Sequence, residues 1–443
     1  MKNFSIALPP VLAVETPPTV GDARPVGLTG HSCAGTDANV TNLTNVTHVE
    51  STSAREPTAD RSPPASQIGA DREEIKDWLR LCHTPGVPPA AVRRLLTAFG
   101  PPAAIFGASR AALTDVVPAD VAARLLARTS PELLAQIVLT LEWAERPGCA
   151  VVTLSEAAYP RALLTLGDPP PVLYCRGDAG LANRAGPAGA RAAALVGSRR
   201  ATPQGRDNAR HFARVLGDAG VTVVSGLAAG IDAAAHEGAL DTAGGTCAVI
   251  GTGADVVYPA RHRALTEQIA ARGLVLSAFP VGTPPRPEHF PRRNRLIAAL
   301  ARCTVVIEAT TQSGSLITAR LAGELGRDVL AVPGSIHAPQ SRGCHVLIRD
   351  GATLATSPDD VLEAMDIASQ GMPPVHPIMS PEPTTPATTA VLEALGYDPV
   401  SADTLCERTG LSVAAVLSQL GVLELDGRIG RLPGGRFVRR EAA

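Results

Sequence analysis

Four corners rich in glycine and serine carry the residues best suited to chemistry: Gly197-Ser198-Arg199, Ser225-Gly226 through Gly230 to Asp232, Gly251-Thr252-Gly253, and Ser313-Gly314-Ser315. Glycine lets the main chain approach a ligand and leaves N–H groups free to hold an anion, serine adds a hydroxyl donor, and arginine forks onto phosphate. Thr202-Pro203 after the first corner fits a helix cap followed by proline in the first turn, which would set a helix N-terminus behind Arg199. Phe290-Pro291-Arg292-Arg293-Asn294-Arg295 adds three arginines and an amide at a helix start, where cations are normally unfavourable. Together these residues point to phosphate binding.

Other groups argue less for chemistry. Asp232 reads as a first-turn cap before it reads as an acid or base, and His236 as a helix residue, since no further metal ligand is spaced around it. Gly251-Thr252-Gly253 lacks the third glycine and the following acid of a dinucleotide fingerprint. Glu308 and Glu324 are the carboxylates nearest the last corner, but no His, Cys or Lys accompanies them as a reacting set. The expectation is therefore no catalytic residue, no metal and no cofactor. Tyr258 or Phe290 could stack on a base, with core anchoring the favoured role for Phe290. An aromatic content of 3% excludes a broad stacking platform.

The elements that must position these corners alternate. Apolar runs at 192–196, 221–224, 246–250, 274–277, 304–307 and 329–332 read as strands, separated by helical stretches at 204–216, 232–242, 263–272 and 316–325. This is the rhythm of a doubly wound, mostly parallel sheet, in which all four corners fall at the strand C-termini. Before it, Ile75, Trp78, Leu79 and Cys82 form one helical face and Val92, Leu95, Leu96 and Phe99 another, around Pro85-Gly86-Val87-Pro88. That turn is similar to a helix-hairpin-helix, but Pro88 removes a donor, and a small packing domain is the preferred reading. Helix, turn, helix and a basic hairpin follow at 401–438, with Arg428, Arg431, Arg436, Arg439 and Arg440 in the hairpin and tail. The second of these helices is almost free of Lys and Arg, which favours protein or backbone contact over sequence reading.

The expected organisation is a disordered extension at 1–70, a helical domain at 71–150, a Rossmann-like domain at 151–366, a proline-rich linker at 367–386 and a winged-helix-like domain at 387–443. Forty basic and 42 acidic residues leave a net charge of −2, so any nucleic-acid site must be a local patch. Eight cysteines with no C-x-x-C spacing read as buried thiols of a reducing cytoplasm. The N-terminus, interrupted by Pro9-Pro10, reads as neither export signal nor membrane span, and the Asn-x-Thr triplets at Asn39, Asn42 and Asn45 as accidents of composition.

In order along the chain, Val196-Gly197-Ser198-Arg199, Ser225-Gly226-x-Ala228-x-Gly230-Ile231-Asp232, Tyr258-Pro259, Phe290-Pro291-x-Arg293-Asn294-Arg295, Ser313 through Ala319 and Ala331-Val332-Pro333-Gly334 resemble the DprA/Smf family. The likeness is close over 153–361 and loose outside it. It implies an extended Rossmann-like fold that binds single-stranded DNA, pairs with itself as a homodimer and helps load a RecA-type recombinase in natural transformation, without membrane attachment. By the same resemblance Gly197, Ser198, Arg199, Ser225, Gly226, Gly230, Arg293, Asn294, Arg295, Ser313, Gly314 and Ser315 would form or support the DNA groove. The chain departs from the family pattern at Ala278-Phe279 and at Cys344-His345, where a carboxylate and an amide are usual. A nucleotide-binding hydrolase on a related scaffold is the alternative.

Overall fold

Strands made of Ala, Val, Leu and Ile without a polar face must be covered on both sides, which a sheet flanked by two helical layers achieves. In the computed structural model, which describes residues 65–186, 189–367, 386–396 and 399–440, such strands form a nine-stranded sheet. In chain order the strands are β1 (Cys149–Thr153), β2 (Val172–Gly177), a small hairpin of β3 (Ala185–Gly186) and β4 (Gly189–Ala190), β5 (Ala192–Val196), β6 (Thr222–Ser225), β7 (Thr246–Ile250), β8 (Leu274–Ser277), β9 (Cys303–Val306), β10 (Asp328–Ala331) and β11 (Thr353–Leu354). The sheet order is β1-β2-β8-β7-β6-β5-β9-β10-β11. Only the β1–β2 and β2–β8 pairings are antiparallel. The chain steps outward from β5 to β8 and then returns to place β9 on the other side of β5. The crevice beyond the C-termini of β5 and β9 is thus a topological switch point, where doubly wound folds hold ligands.

Alternation along β5 divides the core. Ala192, Ala194 and Val196 pack with Leu296, Ile297 and Leu300 of the helix His289–Leu300, while Ala193 and Leu195 pack with Phe212 and Leu216 of the helix Pro203–Asp218. Each large side chain so buried contributes about 1.5–3 kcal/mol. The expected mostly parallel, doubly wound sheet is present. Its antiparallel edge, β1 and β2, has no counterpart in the strand pattern read from 192 onward.

The front of the described chain is helical from Ala65 to Ala144. Leu81, Val92, Leu95, Ile105, Leu113 and Leu125 form its core. Trp78 and Trp143 join that layer to β1 and β2 through Val151 and Tyr174, with the Trp143 and Tyr174 rings edge to face at 6.2 Å. In the Pro85–Pro88 turn Val87 enters the core and Gly86, at φ +80°, lies against the Arg124 guanidinium, an arrangement suited to packing. The first helix starts inside the stretch read as disordered. Residues 1–64, with Cys33 and the Asn-x-Thr triplets, lie outside the described residues, as do positions 368–385 of the linker.

The rear unit has helices Pro386–Leu395, Ala402–Thr409 and Val413–Leu425 around a three-stranded sheet of β12 (Val400–Ser401), β13 (Ile429–Leu432) and β14 (Arg436–Arg439). This is a winged-helix arrangement. Arg440, expected to join a cationic cluster in the hairpin and tail, instead makes a forked contact with Asp207: Nε donates to Oδ2 at 2.7 Å and Nη2 to Oδ1 at 2.8 Å. Asp207 lies on the helix Pro203–Asp218 and its side chain is 10% exposed, so the pair clamps the wing to the central sheet's outer layer. No helix among the described residues is long and apolar enough to cross a membrane.

Candidate functional site

At the switch point a cleft of about 770 Å³ is lined by Gly197, Ser198 and Arg199 after β5, by Arg293 and Asn294 of the helix His289–Leu300, and by Ser313, Gly314 and Ser315 after β9. Two of the corners and the arginine-rich helix start therefore meet. Arg199 and its neighbour Arg200 are exposed, and neither has a carboxylate within 4 Å among the described residues. Opposite, Ser313 bonds Ser315 hydroxyl to hydroxyl at 2.6 Å, and Gly314 opens the helix Ser315–Glu324. The first-turn amides of that helix turn back on the corner: Ser315 donates to the Ser313 hydroxyl at 3.4 Å, Leu316 to the Ser313 carbonyl at 3.1 Å and Ile317 to the Gly314 carbonyl at 3.1 Å, which leaves the serine hydroxyls as its donors toward the cleft.

A smaller limb of the cleft runs beneath Gly226–Ala229 and is walled by Tyr258, Phe290 and Arg261. Tyr258 and Phe290 have ring centroids 5.7 Å apart, and the Arg199 guanidinium lies 5.5 Å from the Phe290 centroid. Phe290, expected as a core anchor, is only half-buried and forms a wall shared by both limbs. Gly230 faces a neighbouring hollow beside Arg199, Arg200 and Arg261. Its φ of +85° and the Ser198 carbonyl, which a Cβ would meet at 2.2 Å, admit only glycine.

Not every residue named from the sequence faces this cleft. Ser225 is fully buried, and its hydroxyl donates to the Leu195 carbonyl at 2.6 Å, so it pins β6 to β5. Arg295 projects from the opposite side of its helix and pairs with Asp168 at 2.6 Å. Arg293 reaches the cleft's base but is 4% exposed, and its guanidinium donates to the carbonyls of Gly226 and Val249. Burial draws its pKa down to about 10. Its place is beneath the loop that it supports.

That loop is held by three buried groups. Asp232 Oδ2 accepts from the amides of Gly226 at 3.1 Å and Ala228 at 3.4 Å. Burial pushes the Asp232 carboxyl pKa up while the Arg293 charge opposes the shift. A Cβ on Gly226 would sit within 2.7 Å of both Arg293 Nη1 and Asp232 Oδ2, so the two charges face each other across this glycine. His236 Nε2 accepts from the amide of Leu227 at 3.2 Å, and Nδ1 bonds the Thr246 hydroxyl at 2.7 Å. Thr246 itself donates to the Val223 carbonyl, which leaves the imidazole Nδ1 as donor in that bond. Burial lowers the His236 pKa to about 3, so the ring is neutral. Leu227, at φ +55°, holds the left-handed conformation that a branched residue disfavours, and the bond to His236 secures it.

The N-terminus of the helix Pro203–Asp218 is not open to an incoming anion. Glu308 accepts the Thr202 amide at 2.9 Å on one oxygen and the Thr202 hydroxyl on the other, while that hydroxyl oxygen accepts from Gly205. A Cβ at Gly205 would collide with the Glu308 carboxyl group. Burial raises the Glu308 pKa and the Thr202 bonds counter it. Glu308 thus serves as the anion at that helix end, and the expected helix dipole behind Arg199 is already satisfied. Among the described residues no group of three or more His, Cys, Asp or Glu stands close enough for a metal ion. The described cysteines are free thiols, with Cys82, Cys149 and Cys406 half-buried where burial was expected.

The match to known proteins follows the same residues. Positions 150–366 fit the family model described as DNA recombination-mediator protein A, and 375–435 that of the DprA winged helix domain. The Smf protein of Escherichia coli is 38% identical over 309 residues, covering 69% of this chain and 81% of its own. The chain belongs to the DprA/Smf family. The DprA protein of Streptococcus pneumoniae is 43% identical over 224 residues, 51% of this chain and 76% of its own. The X-ray structure of DprA from that organism superposes with a TM-score of 0.54 at 34% identity, over 66% of this chain and 97% of the solved one. Placed on a DprA/Smf scaffold, Arg200 and Arg261 are cleft residues that reasoning from the sequence passed over, whereas Tyr258 and Phe290, weighed there for base stacking, form an aromatic pair in the cleft wall. Arg200 adjoins Arg199, and Arg261 follows the quoted Tyr258-Pro259 motif by two residues, which were the available signals.

Proposed function

We propose that this chain binds single-stranded DNA in the switch-point cleft with little sequence preference, protects it and helps load a RecA-type recombinase, in natural transformation or related DNA processing. The observation that carries this reading is the meeting of Arg199, an exposed arginine without a carboxylate within 4 Å among the described residues, with the hydroxyl-bearing corner Ser313–Ser315 across one cleft. Phosphates bind such arrays through charge and hydroxyl donors, and the Tyr258–Phe290 wall offers a surface for bases. Gly197, Ser198 and Asn294 complete the lining, Gly226 borders the smaller limb and Gly230 the neighbouring hollow, while Ser225 and Arg293 shape the cleft from beneath. Self-pairing as a homodimer in the cytoplasm, with no membrane partner, belongs to the same proposal, and the family's role as a recombination mediator supports it.

Titration of labelled oligonucleotides, single against double stranded, tests the reading. Tighter binding of single strands that grows with length is expected. Equal affinity for duplex would overturn the single-strand reading, and length-independent binding with nucleotide turnover would instead favour a hydrolase.

A further inference from the structure

We infer that a second cavity, across the helix His289–Leu300 from the cleft, receives the continuation of the same strand, so that the DNA track outruns the switch point. This rests on the function proposed above and lengthens its site. The cavity, of about 540 Å³, lies between the helical front and the central sheet. Pro291 lines both spaces. Successive residues of the one helix then divide, with Arg293, Asn294 and Ile297 toward the cleft and Arg292, Arg295 and Leu296 toward the second cavity. A chain leaving the cleft over Pro291 therefore enters this space without crossing the sheet.

Its chemistry suits a phosphodiester. Arg93, Arg292 and Arg295 face a single carboxylate, Asp168. Asp168 is engaged by the Arg295 terminal nitrogen at 2.6 Å, yet Arg295 Nε is buried with no hydrogen-bond partner. The ion pair answers Asp168, so the charge left for a phosphate comes from Arg93 and Arg292. Arg93 and Arg292 are exposed and have no carboxylate within 4 Å among the described residues. His83, the remaining basic group, adds no charge: burial lowers its pKa to about 4 and its Nε2 bonds the Tyr174 hydroxyl at 2.9 Å. The prolines 169–171 supply an apolar wall against which a base can lie, and Phe279, stacked on His289 at 4.2 Å, backs the Arg292 guanidinium at 5.7 Å.

The test compares the full chain with Arg93→Ala/Arg292→Ala and with Arg199→Ala, using oligothymidylates of about 6 and about 20 nucleotides, lengths that bracket common single-strand site sizes. The double substitution should weaken the long oligonucleotide by about tenfold or more, at the scale of charge-assisted bonds, and make its salt slope shallower by about 0.7 per lost phosphate contact, while leaving the short one unchanged. Both residues are exposed, and circular dichroism would confirm the fold. Arg199→Ala should weaken both lengths. Should the double substitution affect neither length, or both equally, while Arg199→Ala weakens both, the extended track is wrong and the cleft stands. Should Arg199→Ala affect neither, the cleft itself is wrong.

Discussion

Replacing Arg199 by alanine removes one of three exposed guanidinium groups, with Arg200 and Arg261, that surround the cleft without a carboxylate within 4 Å among the described residues. If each neutralises one phosphate, a short single strand of about 6 nucleotides, confined to the cleft, should bind with a slope of about −2.1 in log affinity against log salt, and Arg199→Ala should bring it to about −1.4. Between about 50 and 200 mM salt the parent would lose about 18-fold in affinity and the variant about sevenfold, so the gap between them narrows as salt rises. Folding is an adequate control, because an exposed side chain resting on the Phe290 face should alter stability by no more than about 0.5 kcal/mol. Ser313→Ala is the matched contrast. It removes a neutral donor, so affinity should fall by a few fold with the slope unchanged. Fluorescence anisotropy at four or more salt concentrations measures both. An Arg199→Ala slope equal to the parent's would refute the charge placement, and a Ser313→Ala slope shallower than the parent's would refute the division of roles.

Asp232→Ala removes the acceptor of two buried amides and leaves Arg293 uncompensated, so chemical denaturation should show a loss of about 3–5 kcal/mol; a loss below about 1 would mean that the charges across Gly226 do not support the loop. His83 and His236 are neutral when folded, with pKa values lowered to about 4 and about 3 from 6.5. Between pH 6 and 5 the unfolded chain binds protons that the folded chain refuses, so stability should fall with acidification by up to about 2.7 kcal/mol per unit. Asp232 and Glu308, raised by burial, act in the opposite sense nearer pH 4, and an invariant urea midpoint across the upper window would show that the two imidazoles are not held neutral. A double-mutant cycle of Arg440→Ala with Asp207→Asn should return a coupling of about 1–3 kcal/mol, and additivity of the two would dissolve the clamp between wing and sheet.

The fold was legible because its parallel strands are apolar on both faces. The runs at 192–196, 246–250 and 274–277 coincide with β5, β7 and β8, while neighbouring strand ends shifted by a residue. The edge pair β1 and β2 escaped because Thr153, Tyr174 and Cys175 blur the apolar signal and no helix separates the two strands in the doubly wound manner. At the cleft, glycine and serine corners were readable because conformational freedom is a property of residue type. Side-chain direction was not: Arg293 and Arg295 share a four-residue motif, yet the helical turn between them sends one beneath the loop and the other to the opposite flank. Glu308 and His236 were placed in view by type but not by partner, since Thr202 and Leu227 reach them only through the fold.

The Glu308 carboxylate has one more effect. In doubly wound proteins that use free dinucleotides, the mouth of the helix leaving the switch-point strand stays vacant to seat a pyrophosphate. Here an internal acid from the neighbouring strand fills that seat, with Gly205 trimmed to receive it. An anion arriving at that helix end would meet like charge, and under the function proposed above the strand lies along the serine-lined bank instead.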